Sequence, residues 1–110
     1  LQQTEFGYIV ITMNTNRVRF ATFDEVLAGV VRAELARLRL EQKEVANQMN
    51  MHPNVFGRKC RGEVAFSTGE LSAVARIVGT TAGALTQDAE TRFSNLNYTS
   101  QSAALADSRH

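Results

Sequence analysis

The chain has few of the residues that cross-link, kink or anchor unusual folds. Its 110 residues include one cysteine, Cys60, one proline, Pro53, and no tryptophan. A lone cysteine permits no internal disulfide and no cysteine-rich metal site, which fits a reducing cytosol. The two histidines, His52 and His110, lack ligand spacing, so no metal is expected. No apolar run approaches the roughly 18 residues that a membrane helix needs. Residues 6–12 (FGYIVIT) lack the basic start and small-residue cleavage site of a secretory signal. Paired carboxylates, a nucleophile triad and a phosphate loop are missing too, so neither enzymatic activity nor a cofactor is expected. Net charge is also small: 12 basic against 11 acidic residues leave +1, which predicts only modest general affinity for polyanions.

What is present is one small helical domain. The length suits a single domain, and 44% hydrophobic with 21% charged residues is ordinary for a globular chain. The charge is unevenly placed. From His52 to Gly62 stand Arg58, Lys59 and Arg61 with no carboxylate, while Asp24, Glu25, Glu34, Glu41, Glu44, Glu63 and Glu70 gather elsewhere. Thr22 and Glu25 have capping-box spacing, and Val26, Leu27, Val30, Val31, Leu35 and Leu38 recur at helical intervals. A first helix through about Arg39 follows, weakened by Gly29 by roughly 1 kcal/mol relative to alanine. Gln42 to Asn50 forms a second helix, and His52-Pro53 opens a third, because proline suits a first helical position. Ser67 and Glu70 form a second capping box ahead of Leu71, Val74, Ala75 and Val78, with Gly79 closing that helix. Thr81 caps a short fifth helix containing Leu85. Five helices and no strand of consequence predict an all-α fold.

The segment Gln42–Gly62 (QKEVANQMNMHPNVFGRKCRG) carries the functional signal. Val45 and Met49 share a helical face, Met51 follows a turn at Asn50, Phe56 anchors the next helix and Gly62 ends it. Two short helices joined by a tight turn, the second one basic, make the layout of a helix-turn-helix. The segment also resembles the helix-turn-helix of lambda-type phage repressors. It has Gln42 first, Val45-Ala46 at the fourth and fifth positions, Met49 and Met51 at the eighth and tenth, and Gly57 and Gly62 at the sixteenth and twenty-first. The stretch Ala75 to Leu85 is similar to the close of the Cro/repressor-type domain, so the resemblance covers about residues 25–86. It implies a compact five-helix, lambda repressor-like DNA-binding domain.

By that resemblance the third helix enters the major groove of double-stranded operator DNA. His52, Pro53, Asn54, Gly57 and Arg58 then fall at base-reading places. Asn54 suits adenine N6/N7 and Arg58 guanine O6/N7. Gly57 would let the backbone approach the bases, and Pro53 replaces a base-reading glutamine. Gln42 falls where the family holds a phosphate; Lys43, Lys59 and Arg61 are further phosphate candidates. Lys59 occupies a place that is normally apolar, so its stem should lie along the core with the ammonium escaping to solvent or phosphate. Arg17 and Arg19 would form an arm on DNA, against the simpler reading of a disordered basic stretch. Val45, Met49, Met51 and Phe56 read as core, and Cys60 as a small buried residue without a histidine partner. For Arg58, Lys59 and Arg61 the competing reading is a solvated face.

The domain is expected over residues 17–86. The chain begins at Leu1 without methionine and Met13 opens a polar start, so residues 1–16 read as an extension or flexible arm. A strand-like arm on Tyr8, Ile9, Val10 and Ile11 is the alternative. Residues 87–110, polar apart from Phe93, Leu96, Tyr98 and Leu105, read as a flexible tail or short helix. The functional expectation is a cytoplasmic, nucleoid-associated transcriptional repressor of phage or prophage origin that occludes a promoter. It would be a monomer or weak homodimer in solution, with dimerisation on DNA. The alternatives are the antitoxin of a toxin–antitoxin pair and a helix-turn-helix protein-interaction adaptor.

Overall fold

Local capping signals set the start of four of the five described helices; the second begins at Glu41 without a side-chain cap. The computed structural model describes residues 9–12 and 18–108, with side-chain surroundings over 21–96. Helix α1 (Phe23–Arg37) begins at the Thr22–Glu25 capping box and α4 (Thr68–Val78) at the Ser67–Glu70 box, each with both reciprocal hydrogen bonds formed. Between them lie α2 (Gln42–Gln48) and α3 (Pro53–Cys60). Helix α5 (Ala82–Ser108) starts where the Thr81 hydroxyl accepts from the Ala84 N–H at 3.0 Å.

Four successive helices end alike. Arg39 (φ 57°), Asn50 (57°), Gly62 (79°) and Gly79 (82°) take the left-handed conformation. The N–H after each reaches back five residues: Leu40 to Leu35, Met51 to Ala46, Glu63 to Arg58 and Thr80 to Ala75, at 2.8–3.0 Å. This closure satisfies the last carbonyls and turns the chain sharply. At the first of these turns α1 stops at Arg37, two residues before the expected end. Leu38 becomes an exposed cap and Leu40 packs on the core in its place.

The core is built on the expected stripes. Phe56, Val30, Val31, Val45, Val74 and Cys60 are fully buried, joined by Leu27, Leu35, Leu71, Val78 and Leu85. Phe56 meets Phe66 edge-on at 6.1 Å, and the Arg32 guanidinium donates to the Cys60 carbonyl, tying α1 to the end of α3.

The two ends differ from expectation. Helix α5 is 27 residues long and passes the expected boundary at residue 86 without a break. After Gly83 no glycine or proline interrupts it. Leu85, Ala89, Phe93 and Leu96 recur along one side, and Phe93 packs edge-on against Phe23 of α1 at 5.7 Å. Tertiary packing there overrides the weak propensity of the Ser, Thr and Asn residues. Ahead of the helices, β1 (Ile9–Thr12) pairs antiparallel with β2 (Val18–Ala21), Ile9 opposite Ala21 and Thr12 opposite Val18. The backbone of Ile9–Thr12 therefore takes the strand alternative, which its β-branched run favours, and α5 runs beside it. Residues 1–8 and 13–17, with Tyr8, Met13 and Arg17, and His110 lie outside the described residues.

Candidate nucleic-acid interface

Helices α2 and α3 meet across the Met49–His52 turn, with Val45, Ala46 and Phe56 buried between them and the rest of the bundle. On the outer side of the junction an open concavity of about 400 Å³ is lined by Gln42, Lys43, Pro53, Asn54, Gly57, Arg58 and Arg61. Six of these seven residues come from the expected contact set, and Pro53 is the position that departs from it. The 3.6-residue period assigns the faces of α3. Phe56, Gly57, Lys59 and Cys60 are buried, while Asn54, Val55 and Arg58 are exposed, with Arg61 exposed at the cap.

For two expected contact residues the side chain is engaged within the fold. Lys59 is only 9% exposed, and its Nζ lies 3.0 Å from Glu70 Oε1 and donates to the Ala65 carbonyl at 3.1 Å. It points into the fold because its place on α3 faces inward, and Glu70 at the start of α4 neutralises it there. Within the fold it acts as a structural cation. His52 is the N-cap of α3: its Nδ1 accepts from the Asn54 N–H at 3.1 Å, so that nitrogen is committed to an orphan helix donor instead of a base. Gly57 lies on the floor of the concavity. A Cβ built on it would stand 3.3 Å from Arg61 Nη1 and 3.8 Å from Gln42 Oε1, so both polar heads lie close over its backbone. Arg19 sits in β2 opposite Ile11.

Two features carried no clear signal in the sequence. Val55 is 44% exposed and is the apolar member of the outward face of α3. Glu63, just beyond α3, places Oε2 2.6 Å from Arg61 Nε and Oε1 3.6 Å from Arg58 Nε. Its carboxyl is held below the usual range, chiefly by the hydrogen bond from Arg61 and then by the charges of Arg61 and Arg58.

The Lys59–Glu70 pair makes a stability prediction. The Glu70 carboxyl is lowered from 4.5, first by the Ser67 backbone N–H and then by Lys59. Its contribution is therefore present above pH 4.5 and lost as pH falls through the lower folded value. Lys59→Ala should cost about 1–3 kcal/mol through lost stem packing and an orphaned Glu70. Lys59→Met should cost less, flatten the acid limb of a pH–stability series, and leave duplex affinity unchanged. A fall in duplex affinity for Lys59→Met would restore Lys59 to the contact surface.

No protein-family model and no curated protein matches the chain. Solved structures do. The fold is similar to that of ClgR. The clp gene regulator ClgR from Corynebacterium glutamicum aligns with a TM-score of 0.71 at 18% identity, over 82% of this chain and 96% of that one. A second crystal structure of ClgR gives 0.61 at 19% identity, over 66% and 94%. Apo-HppE aligns with a TM-score of 0.51 at 19% identity, over 56% of this chain and 35% of its own. At these identities the likeness is one of fold: the five-helix arrangement matches ClgR across nearly its whole length, whereas in HppE it matches one part of a longer chain. Among the described residues, no helix is long and apolar enough to cross a membrane.

Proposed function

We propose that the chain is a sequence-specific DNA-binding transcriptional regulator acting as a repressor, with α3 seated in the major groove. The observation that carries this reading is the junction of α2 and α3, where polar and cationic side chains from both helices line one open face above a buried apolar seam. Asn54 and Arg58 supply base-edge donors and acceptors from adjacent places on the outward face, suited to adenine and guanine. Val55 beside them offers apolar surface to a thymine methyl group. Gln42, Lys43 and Arg61 flank the groove and meet phosphates, which fix the register of the helix on the duplex. The fold match to a protein described as a clp gene regulator supports a regulatory role. The likeness of Gln42–Gly62 to lambda-type repressors supports a phage or prophage setting and action by promoter occlusion in the cytoplasm. The reading includes no catalysis. It takes the chain as a monomer or weak dimer that pairs on two half-sites about 34–36 Å apart.

The test is selection of bound sequences from a random duplex pool, followed by salt titration on the selected site. Arg58→Ala should cost roughly 1–3 kcal/mol on that site and relax one base position. Arg61→Ala should weaken selected and random duplex alike and flatten the salt slope by about one unit. A pool that yields no enriched sequence, with no salt-dependent duplex binding, would leave a protein-interaction adaptor as the better reading.

A further inference from the structure

Arg58 and Arg61 do not reach the groove as free cations: one carboxylate touches both. Glu63 lies in the exposed bend after α3, and its two oxygens divide between the guanidinium groups, 2.6 Å from Arg61 Nε and 3.6 Å from Arg58 Nε. The bend is set by the fold. Gly62, in the left-handed conformation, turns the chain back, and the Glu63 N–H bonds to the Arg58 carbonyl at 3.0 Å. Glu63 is thereby anchored over the last turn of the helix that carries Arg58. The nearest approach in both pairs is at Nε, and Arg61 Nη1 lies over Gly57 on the floor of the concavity.

We propose that Glu63 is a specificity-determining residue of the interface. It offsets positive charge that would otherwise bind any duplex, while leaving Arg58 able to meet a base and Arg61 a phosphate. The proposal rests on the DNA-binding reading above. Non-specific affinity comes from cations that displace counterions along the phosphate backbone. A carboxylate shared by two arginines subtracts from that charge on every sequence. On the selected site part of the loss is recovered, because Glu63 approaches Arg58 only to 3.6 Å and leaves its guanidinium able to meet a fork of acceptors there. The effect is therefore larger on random DNA than on the site, and Glu63 widens the ratio between them.

The experiment compares wild type with Glu63→Gln on the selected duplex and on a scrambled duplex across a salt series. Glu63→Gln should bind scrambled duplex about 3–10-fold tighter, with a salt slope steeper by up to about one unit, since one more cation becomes free to displace a counterion. Affinity for the selected site should change less, so the specificity ratio should fall. Glu90→Gln removes an exposed carboxylate on α5 and controls for total charge; it should leave the ratio unchanged. In an Arg61→Ala background, Glu63→Gln should lose most of its effect. Equal effects of Glu63→Gln and Glu90→Gln, or weaker scrambled-duplex binding by Glu63→Gln, would overturn the proposal while the DNA-binding reading stands. Absence of duplex binding by every variant would overturn both.

Discussion

Replacing Phe56 by alanine should lower unfolding free energy by about 3–5 kcal/mol, a large share of the roughly 5–15 kcal/mol that such a domain possesses. The ring is fully buried, lies on the inner face of α3 and meets Phe66 edge-on. Its removal leaves a void that α1, α2 and α4 cannot all move to fill. Because α3 is eight residues long and carries a glycine, it has little helical stability of its own. The same substitution should therefore loosen the outward side of α3 before the rest of the bundle melts. Urea denaturation measures the first effect, and amide exchange within α3 the second. A loss below about 1 kcal/mol would show that the seam between α2 and α3 is not held by this ring.

Gly62→Ala should be the most damaging change among the helix-ending residues, at roughly 2–4 kcal/mol. Two costs coincide at this position. The backbone sits at φ 79°, and an added Cβ would lie 3.0 Å from the Glu25 Cα, a backbone atom at the start of α1. Gly79→Ala separates the two. It has φ 82° but nothing within 4 Å of the added atom, so it should carry only the conformational cost of about 1–2 kcal/mol. Thermal melts of both variants give the contact cost by difference. If the two lose equal stability, α3 does not press on the start of α1 as the structure has it.

The helical body of this fold was legible because its signals are local. Thr22, Ser67 and Thr81 start helices wherever they precede an apolar stripe, and Gly62 and Gly79 end them. Asn50 was readable as a left-handed turn residue, but Arg39 was not. An arginine at φ 57° carries no local signal; it stands at the turn that brings Leu40 onto the core. The same limit applies to α5, where a polar composition hides a helix that Phe93 and Ala89 hold against its neighbours. At the interface, residue type and spacing indicated which side chains would gather but not their direction. Lys59 was legible as a cation at a normally apolar place but its partner Glu70 was not, and nothing local marked Glu63 as the carboxylate that Gly62 folds back over the arginines.

The buried thiol has a practical consequence. Cys60 is fully enclosed, and burial pushes its pKa up to about 11, so a thiol-reactive reagent meets neither an accessible nor an ionised sulfur in the closed protein. Labelling must wait for α3 to part from the bundle. As the only cysteine in the chain, Cys60 acts as an intrinsic stopwatch for that opening. Its modification rate, divided by that of a free thiol at the same pH, gives the fraction of time that α3 spends undocked.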